Sequence, residues 1–221
     1  MCFSAAVSFT AGTALIAVGT ISIRKSTNVP QTLLSSIPIM FGVQQFSEGI
    51  LWLSLVRPEP GLFVVPATYL FLFFAQVVWS SFVPLAILRL EQDPEKQKML
   101  RALLLIGIVV SCYLAYCLMF YKVDAVIDCY HILYSLYFPQ VFANIVGLLY
   151  FMAVVGPLFV TGTREIRPLG ILIMVSLFIT AIFYQYYLIS VWCFFASIIS
   201  MHILFAIIKL NGGETQKTGV R

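Results

Sequence analysis

The chain repeats one pattern: runs of roughly 20 apolar residues separated by short polar breaks. Seven stand out, at about 4–23, 32–55, 62–88, 100–120, 140–160, 168–185 and 187–208. A run of that length, wound as a helix, crosses a hydrocarbon layer of about 30 Å. Backbone groups find no partners in lipid, so such spans must be helical. Composition argues against a soluble domain. Hydrophobic residues make up 61% of the chain and charged residues 10%, with a mean hydropathy of +1.00, whereas a soluble domain has about a quarter of its residues charged. The expected fold class is therefore all-α: a polytopic membrane protein of seven transmembrane helices. Residues 1–210 form the single membrane domain and 211–221 a short tail.

The basic residues orient these helices. All Lys and Arg except Arg57 and Lys122 fall on one side of an odd-numbered bundle: Arg24, Lys25, Arg89, Lys96, Lys98, Arg101, Arg164, Arg167, Lys209, Lys217 and Arg221. By the positive-inside rule that side is cytoplasmic, which puts the N-terminus outside and the tail inside. The net charge of +4 thus reports topology, and no nucleic-acid partner is expected. Arg24 and Lys25 follow the first apolar run, the reverse of a cleavable signal. The break at 183–188 has no Gly, Pro or charge, yet without it the last span would be about 40 residues, too long for a bilayer.

Glu48 is the charged side chain that no polar break accounts for. An ionisable group at membrane depth is costly and marks a candidate site. Neighbours three and four residues apart share a helix face, so Phe41, Gln45, Glu48 and Trp52 form one stripe with Gln44 on its flank. Two amides beside a carboxyl can hold it charged or bind a ligand with it. They can equally serve as interhelical glue. The third span adds Gln76 and Trp79 at i, i+3. The outer ends of the last two spans carry Tyr184, Tyr186, Tyr187, Ser190, Trp192 and Cys193. Apolar walls with a few convergent polar groups are the makings of a small-molecule site. The candidate ligand-binding set is Glu48, Gln44, Gln45, Trp52, Gln76, Trp79, His131, Tyr134, Tyr187 and Trp192.

His131 sits in an outer segment of about 19 residues, long enough to fold over the bundle as a lid or re-entrant turn. With Asp128 it is a candidate proton relay or ligand. His202 reads as a packed histidine of the last span. The five cysteines form no CxxC or Cys/His pattern, so no metal site is expected and no cofactor is indicated. Cys112 and Cys117 read as apolar fillers. Cys2 and Cys129 would share the outer side, where a disulfide is permitted. Ser4, Ser8, Gly12 and Gly19 in the first span suit close helix packing inside the bundle or in a homo-oligomer.

The opening Met1-Cys2-Phe3-Ser4-Ala5, the segment Phe41-Gly42-Val43-Gln44-Gln45…Glu48-Gly49…Trp52, the run Trp192-Cys193-Phe194-Phe195-Ala196 and His131-Ile132-Leu133-Tyr134 resemble a family of small uncharacterised bacterial seven-helix membrane proteins. The resemblance spans nearly the whole chain. It implies the fold and a multi-pass place in the bacterial inner (plasma) membrane, and it implies no activity. The leading expectation is a protein that binds or transports a small molecule, lipid or ion through an outward-facing pocket around Glu48. A membrane-embedded enzyme using Glu48 and His131 is the alternative, although no HExxH, serine elbow or paired Asp is present. A sensor or scaffold acting through a partner is the third reading, and the short tail leaves it no output domain.

Overall fold

In the computed structural model, which describes residues 4–56, 61–128 and 130–218, the described residues form seven successive helical stretches. The first two are α1 (Ala5–Lys25) and α2 (Val29–Leu55). The third joins α3 (Val64–Leu72), a π-helical segment at Phe73–Val78 and α4 (Trp79–Leu90). Next come α5 (Pro94–Phe120), α6 (Ala143–Val160) and α7 (Arg167–Phe183). The last pass is α8 (Leu188–Ser200) followed by α9 (His202–Thr218), with a turn at Met201 between them.

Five of these passes are long and apolar enough to cross a membrane: Ala5–Lys25, Val64–Leu90, Pro94–Phe120, Gln140–Val160 and Leu188–Gly212. The chain is built as a membrane protein. The other two depart from the pattern for different reasons. α2 has the length, 27 residues, but Gln31, Gln44, Gln45, Glu48 and its serines dilute its apolar character. α7 is apolar but has 17 residues, short of the roughly 20 that a span requires.

Local chemistry sets the helix starts. The Ser4 hydroxyl accepts from Val7 N–H, the Asn28 side chain from Gln31 N–H, and Asp93 from Glu95 N–H. Pro30 and Pro94 occupy first-turn positions where a missing N–H costs nothing. The α1–α2 packing depends on glycine. A Cβ at Gly12 would lie 3.1 Å from the Gly42 carbonyl oxygen, and one at Gly42 would lie 3.0 Å from the Gly12 carbonyl. The small residues of α1 therefore bring two backbones together inside the bundle. Gly107 of α5 is tighter still, pressed against the Ser80 carbonyl of α4.

One end of the bundle carries Arg24, Lys25, Arg89, Lys96, Lys98, Arg164, Arg167 and Lys209, with Arg101 two turns into α5. Side-chain amides tie that end together: Asn211 donates to the Lys25 carbonyl at 2.7 Å and accepts from Gln31 at 2.9 Å. The opposite end corrects the all-helical expectation. The segment expected to be a lid or re-entrant turn is an antiparallel hairpin, β1 (Val123–Asp128) and β2 (His131–Leu136), pairing Val123 with Leu136 and Asp128 with His131. Its inner residues Ala125, Ile132 and Tyr134 pack with Leu51, Trp52 and Phe71. Tyr134 stacks on Phe71 with ring centroids 4.9 Å apart. The hairpin is thus a fixed cap on the helices.

The π segment is held from outside. A wider turn leaves carbonyls that the regular helix would have satisfied, and neighbouring hydroxyls take them. Tyr150 of α6 donates to the Ala75 carbonyl at 2.5 Å, and Ser111 of α5 donates to the Val77 carbonyl at 2.7 Å. The break at 183–188 falls where expected, as a 3₁₀ turn over Gln185–Tyr187. Aromatic contact with the hairpin accompanies it in place of Gly or Pro: His131 lies against both Tyr184 and Tyr187.

Candidate functional site

Glu48 lies two turns before the hairpin end of α2, wholly buried. The Ser190 hydroxyl of α8 donates to its Oε1 at 2.7 Å, and the Cys193 thiol, one turn further along α8, lies beside both Glu48 and Gln44. The Gln44 side-chain Oε1 accepts from Trp79 Nε1 at 2.9 Å, and Trp79 stacks on Phe41 with centroids 4.0 Å apart. Phe41, Gln45, Glu48 and Trp52 are all buried, as one helix face turned inward requires. Gln45 is distinctive among them. It has no exposure, and neither atom of its amide has a hydrogen-bond partner among the described residues. Such an amide costs roughly 1–3 kcal/mol unless a water or ligand meets it. The cluster so formed is a carboxyl, two amides, a hydroxyl and a thiol enclosed by aromatic rings.

Ser190 connects this cluster to the hairpin end. A cavity of about 280 Å³ lined by Ile132, Tyr134, Leu136, Tyr186, Tyr187 and Ser190, among others, opens there. Over it, Tyr187 donates to Asp128 Oδ2 at 2.6 Å and stacks on His131 with centroids 4.7 Å apart and planes 18° apart. Asp128, His131 and Tyr187 therefore form one assembly that joins the hairpin turn to the α7–α8 connection.

Gln76 and Trp192 take a different place from the one expected. They line a second cavity of about 430 Å³ together with Tyr113, Tyr150, Phe151 and Cys193. Trp192 meets Tyr150 edge-on at 6.2 Å. Glu48 does not line this space, and Gln76 does not join the Glu48 cluster. The ten expected residues thus divide into three groups: the Glu48 core with Gln44, Gln45, Trp52 and Trp79; the hairpin group His131, Tyr134 and Tyr187; and the Gln76–Trp192 cavity.

A family model described as a family of unknown function (DUF6629) matches residues 1–217. The chain belongs to that family. No curated protein and no solved structure matches it.

Sequence reasoning grouped Ser190 and Cys193 with the aromatic residues at the outer ends of the last two spans, without pairing either of them with Glu48. Their i, i+3 spacing puts both on the face that meets α2. It passed over Tyr150, whose phenol holds the π segment and whose ring walls the larger cavity. His202 begins α9 and packs against Phe205 at 6.2 Å. Cys117 is buried while Cys112 is exposed on α5. Cys2, Cys129 and Arg57 lie outside the described residues. Among those described, no three His, Cys, Asp or Glu side chains form a metal-holding group.

At the basic end of the DUF6629 bundle a second carboxylate is buried. Glu91 accepts from Gly162 N–H at 2.6 Å, Thr161 hydroxyl at 2.9 Å, and the N–H groups of Gln92 and Asp93 at 3.0 Å each. Burial pushes its carboxyl up, but the hydrogen bonds from Asp93, Gly162, Thr161 and Gln92 prevail and hold it below the ordinary 4.5.

Proposed function

We propose that this DUF6629 protein binds and translocates a small polar molecule or ion, entering at the hairpin end, with Glu48 as its anchor. One observation carries the reading: a carboxyl at membrane depth, held across α2–α8 by a rotatable hydroxyl that also faces a cavity, beside a buried amide with no hydrogen-bond partner among the described residues. Asn or Ser would join two membrane helices as well as Glu does, at lower cost. The hairpin end is external and the basic end cytoplasmic in this reading, which the positive-inside rule supports. The membrane is the bacterial inner membrane. The Asp128–His131–Tyr187 assembly closes the hairpin end over the entrance.

The test is a thermal-shift screen of the purified protein against alkali cations, ammonium, small quaternary amines and neutral polyols, repeated with Glu48→Gln. The reading expects at least one concentration-dependent stabilisation in the wild type that Glu48→Gln loses. Identical profiles for the two proteins would leave Glu48 as a structural hydrogen-bonding group.

A further inference from the structure

The larger cavity has a chemistry different from the Glu48 core. One face of α6, Ala143, Val146, Gly147 and Tyr150, at spacings of three and four, forms a wall. Facing it are Gln76 of the π segment and Trp192 of α8. Among the described residues no Lys, Arg, Asp, Glu or His lines the space, so an occupant with a net charge would lack a counter-ion at membrane depth. Its volume of about 430 Å³ falls in the range of small-molecule sites, about 300–1,000 Å³.

Two further features shape the space. Gly147 stands mid-helix, where glycine costs about 1 kcal/mol against alanine, and a Cβ there would meet nothing within 4 Å. Close helix packing therefore does not explain it, and its effect is to keep the wall low. The neighbouring Phe142, Ile145 and Leu148 are exposed apolar residues on a pass long enough to span a membrane, so the cavity borders lipid. Gln76 is the second feature. Its side chain makes no hydrogen bond among the described residues, while hydroxyls of Tyr150 and Ser111 fix the backbone on either side of it. A rigid turn thus offers one amide into an apolar, laterally accessible space.

We propose that this cavity is a binding site for a neutral amphiphile entering sideways from the bilayer, its apolar chain along the α6 wall and one carbonyl or hydroxyl on the Gln76 amide. The site does not depend on the Glu48 reading, since Glu48 does not line it.

Trp192 supplies the readout. The detergent-solubilised full chain is titrated with a 1-monoacylglycerol carrying a dibrominated stearoyl chain, whose bromines quench nearby tryptophan. Saturable quenching is expected, at least about tenfold tighter than for a quaternary ammonium amphiphile with the same chain, because the charged head has no partner. Gly147→Phe should abolish saturation without lowering Tm, since the ring fills open space. Gln76→Leu should weaken binding about fivefold, the loss of one hydrogen bond. Should Gly147→Phe fail to fold, Ala143→Leu closes the same wall and must give the same loss. Quenching that rises linearly without saturating, equal affinity for the charged amphiphile, or undiminished binding in a folded wall variant would each overturn the proposal.

Discussion

Glu91 and Glu48 are both buried carboxyls, and their surroundings differ in kind. Glu91 is met mainly by backbone N–H groups of two connections, α4–α5 and α6–α7, which cannot turn away while the fold persists. Glu48 is met by the side chains of α8, a hydroxyl and a thiol that can rotate, with a fully buried unpartnered amide one turn away. A carboxylate fixed by backbone donors is a latch, since its charge is stabilised permanently. A carboxyl surrounded by adaptable groups can exchange partners. Under the proposed function, the difference separates structure from function within one chain.

The comparison breaks first at Glu91. Glu91→Ala removes the acceptor from three backbone N–H groups and a hydroxyl, and should cost about 3 kcal/mol. In thermal denaturation this reads as a Tm drop of roughly 6–10 °C. A loss under about 1 kcal/mol would show that the connections hold without it. The same latch predicts acid sensitivity. Its folded-state carboxyl titrates below the ordinary 4.5, so its stabilisation is fully present above that value and is lost as pH falls through the folded-state value. Glu91→Gln should flatten the Tm profile between about pH 5 and 3, and an unchanged slope would remove Glu91 as its cause.

Gln45 sharpens the contrast in the opposite direction. If its amide is retained for a ligand, Gln45→Leu should stabilise the empty protein by about 1 kcal/mol, because an unsatisfied buried amide disappears. Destabilisation of that size would mean that the amide has a structural partner, such as a fixed water.

How much of this was legible from sequence follows from the same physics. Length and apolarity locate helices well, because lipid leaves the backbone no other choice, and the basic breaks at Arg89–Arg101 and Arg164–Arg167 fall between α4 and the first turns of α5 and between α6 and α7. The hairpin was not legible. The sequence between its strands has neither Gly nor Asn, and Tyr130 takes φ 63, a conformation a tyrosine adopts only at a cost. The alternation in Val123–Asp128 and the β-branched and aromatic residues were the available signal. The π segment left no trace either, since its stability comes from Tyr150 and Ser111 on other helices. At the site, the stripe through Glu48 was readable because it is local to one helix. Ser190 and the separation of Gln76 from Glu48 depend on how distant helices meet, which periodicity does not encode. The strain at Tyr130 gives the smallest prediction: Tyr130→Gly should raise stability by about 0.5–1 kcal/mol, measured by chemical denaturation, and a loss would mean that the exposed ring contributes packing.

The central claim is that Glu48 serves function and Glu91 serves the fold, and Glu48→Gln tests it most directly. The substitution keeps the shape and the hydrogen bond to Ser190 while removing the ability to carry charge. Thermal stability and ligand stabilisation should be measured side by side on the wild type and this variant. The account predicts a Tm change equivalent to less than about 1 kcal/mol together with loss of the ligand-dependent shift. A variant that unfolds as readily as Glu91→Ala, or one that matches the wild type in both measurements, would contradict it.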